Sequence, residues 1–77
     1  MKDSYRGHEI EVFRDKCLGG WSQLYYSIFR ESDGYECTSG FTSDESPTRT
    51  YMKYMKERVD AELQEADPWG ENQQRSN

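Results

Sequence analysis

His8, Cys17 and Cys37 are the side chains of this sequence best suited to covalent or metal chemistry: one imidazole and two thiols. A zinc site needs several His or Cys ligands at short spacings, and these three lie far apart in the chain. A nucleophilic site needs a Cys or Ser beside a base, with a third group to orient that base. A single histidine on a strand offers little to build one from, and His8 reads as a strand-edge residue. Asp and Glu number fifteen in 77 residues, so near neighbours among them single out no acid–base couple. The glycines of "CLGGW" lack the Lys-Ser or Lys-Thr ending of a phosphate loop, and they lead into a strand where such a loop needs a helix N-terminus. These residues therefore predict no metal, no cofactor and no enzyme. The two thiols read as small buried hydrophobes kept reduced in a cytosolic setting.

The chemistry that remains is non-covalent, and it centres on "LYYSIFRESDGY", residues 24 to 35, where rings occupy both parities of a strand. Three extended segments position them. "HEIEVFR" (8 to 14) separates Ile10 and Val12 by charge; "DKCLGG" interrupts; "WSQLYYSIFR" (21 to 30) is rich in β-branched and aromatic residues; Asp33-Gly34 is a strong turn dipeptide; "YECTSGFT" (35 to 42) resumes extended character. The reading is a three-stranded antiparallel meander.

"SDESP" then supplies helix-capping residue types and a proline tolerated in a first turn, so a helix is expected to start between Ser43 and Pro47. Thr48, Met52, Met55, Val59, Leu63 and Ala66 recur along one face, and Asp67-Pro68 should end the helix. The fold class is α+β, three strands packed on one C-terminal helix, with a single domain over 1–68 and a polar tail over 69–77 in which Trp69 is the one candidate for docking. On the helix surface, Lys53 with Glu57 and Lys56 with Asp60 have the spacing of ion pairs.

Strand alternation sorts the rings. Ile10, Val12, Leu24, Tyr26 and Ile28, with Tyr35, Cys37 and Phe41 from the third strand, are expected beneath the helix. Phe13, Tyr25 and Phe29 fall on the opposite face among Glu9, Glu11, Ser27, Glu36 and Thr38. One helix covers one face of a sheet, so this second face should stay open. Two readings apply to it: cross-strand pairing that only stabilises the ladder, or a binding surface for a partner with an apolar centre and basic surroundings.

Charge favours a protein over nucleic acid as that partner. Ten Lys and Arg against fifteen Asp and Glu leave a net charge of -5, which repels phosphate and anionic lipid. No apolar run approaches the roughly 20 residues that span a bilayer, nor does the start carry a signal segment, so the expected location is the cytoplasm. Lys53, Lys56 and Arg58 form a local basic stretch and supply the alternative, a small nucleic-acid-binding regulator.

The succession "YRGHEIEVFR", "GGWSQLYYSIFR" and "DGYECTSGFTSDESPTRTYMKYMKERVD" resembles small three-strand-plus-helix orphan proteins encoded by phages and mobile elements. These share a Tyr-x-Gly start, a Trp-x-Tyr-x-Ile-like second strand and a "GF-x-S" approach to the helix, and they include some anti-CRISPR proteins. The resemblance covers roughly residues 5 to 60 and implies a non-enzymatic accessory protein, monomer or homodimer. It would act in the host cytoplasm by occupying a surface of a larger host protein and inhibiting or modulating it. The surface residues expected to carry that binding are Glu9, Glu11, Phe13, Tyr25, Phe29 and Glu36.

Overall fold

In the computed structural model, residues 1–16, 19–20 and 22–70 are described. Cys17 and the tail beyond residue 70 lie outside them, as does any pairing of Cys17 with Cys37. Four strands precede the helix: β1 (Lys2–Tyr5), β2 (His8–Lys16), β3 (Ser22–Arg30) and β4 (Glu36–Thr42), then α1 (Thr48–Leu63) and a single turn at Pro68–Gly70. The strands form one antiparallel sheet in the order β1-β2-β3-β4. The class is α+β as expected, with four strands where three were expected.

The additional strand comes from the polar start. "KDSY" has no hydrophobic alternation to announce it, but Arg6 and Gly7 both take positive φ, 48° and 79°, and join Tyr5 to His8 as a two-residue hairpin loop. Such loops need positive φ at both central residues, and their twist matches that of the strands they join. β1 then pairs along β2, which makes β2 an interior strand. His8 is therefore no edge residue: it is buried, with Nδ1 2.9 Å from the Arg6 carbonyl oxygen and its ring 6.0 Å from that of Trp69.

The core lies between α1 and one sheet face. Ile10, Val12, Leu24, Ile28 and Val59 are fully buried and Met52, Met55 and Trp69 nearly so, with Tyr5, Tyr26, Cys37 and Tyr51 packed around them. Burying each aliphatic side chain of this kind contributes roughly 1.5–3 kcal/mol.

Three side chains expected in this core are elsewhere. Phe41 and Leu63 are exposed, and Tyr35 sits in the β3–β4 turn with the Arg30 guanidinium 5.0 Å from its ring centroid. Phe41 is displaced by an irregularity in the β3–β4 ladder. Ile28 pairs with Thr38 but Phe29 pairs with Glu36, which leaves Cys37 as an extra residue. Such a bulge reverses the facing of every residue beyond it. Thr38, expected on the open face, thus lies on the helix side with Gly40 and Thr42, while Ser39 and Phe41 turn outward.

The helix also departs from expectation at both ends. Pro47 occupies the N-cap with no side-chain cap, while Asp44 shapes the approach by accepting from the Ser46 N–H at 2.7 Å. The Arg14 guanidinium donates to the Ser46 carbonyl and to Ser22 Oγ, which anchors this loop to the sheet. α1 stops at Leu63, before Asp67-Pro68, and Ala66 lies beyond it in the open. The Glu62 carboxylate accepts the Trp69 N–H at 2.8 Å and turns the chain back. Trp69 takes φ 64° and enters the core, so the packed unit continues past residue 68.

The expected pairs Lys53–Glu57 and Lys56–Asp60 do not form among the described residues; the helix makes two long-range ion pairs and one at the i to i+4 spacing. Lys56 reaches Asp3 at 2.6 Å, Asp60 receives Arg6 at 2.7 Å, and Arg58 pairs with Glu62 at 2.9 Å. Side chains of the first hairpin reach across to α1, so Asp3 and Arg6 displace the next helical turn as partners of Lys56 and Asp60.

Candidate functional site

The face of the sheet away from α1 is organised in cross-strand rows. Ser4, Glu9, Phe29 and Glu36 form one; Lys2, Glu11, Ser27 and Ser39 the next; Phe13, Tyr25 and Phe41 a third. Alternation and register place these residues side by side, because directly opposed residues project to the same face.

The third row is aromatic across three strands. Phe13 and Tyr25 stack with ring centroids 5.2 Å apart and 14° between planes, and Tyr25 meets Phe41 at 5.9 Å and 41°. Phe13 is 46% and Phe41 63% exposed, high values for rings of this size, which normally bury most of their area. Tyr25 is half-buried between them, and its hydroxyl donates to Gln23 Oε1 at 2.9 Å. The rings border a shallow depression shared with Ser27, Ser39 and Gly40.

Phe29, grouped with Phe13 and Tyr25 by parity, belongs to a different part of this face. Two strand repeats, roughly 13 Å, separate it from Tyr25, and its register neighbours are Glu9 and Glu36. It lines a second depression with Glu9, Arg30, Glu31 and Gly34. The site is thus an aromatic row at one end and an acidic row, carrying Phe29, at the other. The Glu36 carboxylate accepts from Ser39 Oγ, Glu9 lies 3.6 Å from Lys2 Nζ, and Glu31 accepts from Ser4 Oγ at 2.9 Å. Lys2 is the sole Lys or Arg within the three rows. Such a surface can desolvate an apolar group against the rings and pair its cationic surroundings with the carboxylates.

Phe41 is the member that sequence reasoning missed. Thr38, Gly40 and Thr42 on one parity and Ser39 and Phe41 on the other would suit either face. Only the extra residue at Cys37 decides between them, and no residue type marks it.

The basic stretch of α1 is largely engaged within the molecule. Lys56 bridges to Asp3 and lies 5.7 Å from the Tyr5 ring centroid; Arg58 pairs with Glu62 and lies 5.3 Å from that of Trp69; Lys53 is exposed. Among the described residues no three His, Cys, Asp or Glu side chains are grouped to hold a metal ion, and no helix is long and apolar enough to cross a membrane. No protein-family model, curated protein or solved structure matches this chain.

Proposed function

We propose that this chain is a non-enzymatic binding module whose open sheet face engages a protein with an apolar centre ringed by Lys or Arg. The Phe13–Tyr25–Phe41 row carries this reading: three adjacent rings project from the face opposite the helix, two of them exposed, with Glu11 in the neighbouring row and Glu9 and Glu36 in the row beyond it. Exposed aromatic clusters of this kind supply the desolvated contact area of interfaces, while surrounding charges steer and select the partner. The narrower reading is an accessory protein that inhibits or modulates a host protein, as anti-CRISPR and other anti-defence proteins do. It is supported by the acidic charge and by the succession of strands leading into one C-terminal helix, to which this chain adds β1, and it predicts a target with a basic groove.

The test is affinity capture with the full chain and with the Phe13→Ser/Phe41→Ser variant, followed by binding measurements on the captured species. The expected result is a basic protein retained by the parent chain, lost by the variant and weakened by salt. Equal retention by both would remove the open face from the account. Nucleic-acid binding through α1 is the second reading, with Lys53 as its exposed cation. It requires DNA or RNA affinity that falls with salt and is lost in Lys53→Glu.

A further inference from the structure

The two edges of the sheet are built differently. β1 is short, carries Lys2 and Asp3, and is tied down through Lys2–Glu9 and Asp3–Lys56. Those are features that protect an edge from pairing with another chain. β4 is the other edge, and beyond the bulge its run Thr38-Ser39-Gly40-Phe41-Thr42 has no charge and no proline. Among the described residues no backbone group of another segment bonds to its outer side.

We infer that this run pairs with the same run of a second copy, antiparallel about a two-fold axis at Gly40, to give a continuous eight-stranded sheet. Symmetric antiparallel pairing must bring residues of the same face together, because opposed residues project to the same side. Centred at Gly40, it sets Thr38 against Thr42 on the helix side and Ser39 against Phe41 on the open side, and it uses the whole uncharged run. Every opposed pair is neutral, and Thr–Thr and aromatic pairs are favourable across strands. The axis itself falls where there is no side chain. A Cβ on Gly40 would stand 2.7 Å from the Tyr26 hydroxyl oxygen, so the Tyr26 ring already covers this residue from the helix side. On the open side the two Phe41 rings approach diagonally across the junction. The two Phe13–Tyr25–Phe41 rows then join into one aromatic stripe, with both helices on the far side.

Stacking of two open faces is the competing arrangement, and charge argues against it. It would bring Glu9, Glu11 and Glu36 of both copies into one layer shielded from solvent, whereas edge pairing leaves these carboxylates in water.

Sedimentation equilibrium on the full chain, under reducing conditions from micromolar to millimolar concentration, tests this together with hydrogen exchange. The mass of the parent chain is expected to rise toward twice the chain mass. Amides within 38–42 should gain protection over the same range, and Ser39→Lys should remain at the chain mass, with the parent's thermal midpoint at the low concentrations where the parent is monomeric. The chain mass at every concentration overturns the inference. So does a dimer that Ser39→Lys leaves intact, or protection gained at β1 in place of β4. The outcome is separable from that of the binding reading, since Phe13→Ser lies outside the junction and should still dimerise.

Discussion

The Tyr5 hydroxyl donates to both carboxylate oxygens of Asp60, at 3.0 and 2.9 Å, across 55 residues of chain. Arg6 joins the same carboxylate and Lys56 returns the connection to Asp3, so the first hairpin is clasped to the helix by side chains from both. Hydrogen bonds from Arg6 and then Tyr5 lower the Asp60 pKa, and that from Lys56 lowers the Asp3 pKa.

A pH dependence follows from the clasp. A carboxyl whose pKa is lower in the folded chain stabilises the fold above its unfolded value, about 3.9 for Asp, and the gain is lost as pH falls through the folded value. The thermal midpoint should therefore decline below about pH 4. The Asp3→Asn/Asp60→Asn variant should start lower at neutral pH and decline less. Asp3 is exposed and Asp60 only half-buried, so solvent screens both, the effect is modest, and it should shrink in high salt. Parallel declines in parent and variant would show that the clasp is not the source.

Trp69 should matter more than its place near the chain end suggests. Its ring fills the core beside His8, and the Glu62 carboxylate accepts from its backbone N–H. Trp69→Ala is expected to cost about 3 kcal/mol or more, the range for large aromatic truncations in cores. Glu62→Gln keeps an acceptor and should cost much less. Urea denaturation of the two variants gives both numbers, and a loss below 1 kcal/mol for Trp69→Ala, roughly the deletion of one methylene, would contradict the docking.

Gly40 is required by a neighbour and not by its own backbone. A methyl there meets the Tyr26 hydroxyl at 2.7 Å and the adjoining ring carbon at 3.1 Å, so Gly40→Ala forces the Tyr26 ring to move. The expected loss is about 1–3 kcal/mol, the range for overpacking. Tyr26→Leu in the same chain should recover part of it, a coupling that a double-mutant cycle measures. Additive losses would place the strain elsewhere.

The two faces of the sheet should respond differently to truncation. Ile28 is fully buried under the helix, and Ile28→Ala should cost about 2–5 kcal/mol. Phe41→Ser removes one partner of Tyr25 on the open face and should cost no more than about 1.5 kcal/mol, the range for such ring pairs. Thermal or urea melts compare them directly, and similar losses would mean that the outer rings serve the fold and not a partner.

Short-range patterning marked most of the framework. The alternation of Ile10 with Val12, the ring-rich stretch through Ile28, the Asp33-Gly34 turn and the spacing of Met52, Met55 and Val59 are each local signals. Each maps onto the observed strands, turn and helix face, because pleat and helical repeat act within a few residues. β1 left no such mark: its polar residues gain their partners only when the Arg6-Gly7 turn brings them against β2 and α1. Phe41 and Trp69 were decided at longer range still. One extra residue at Cys37 reverses the end of β4, and a carboxylate on the last helical turn draws Trp69 into the core. Local preference cannot register either event, since in both the favourable contact lies with residues distant in sequence. That is why the open face holds Phe41 in its aromatic row and leaves Phe29 among the carboxylates.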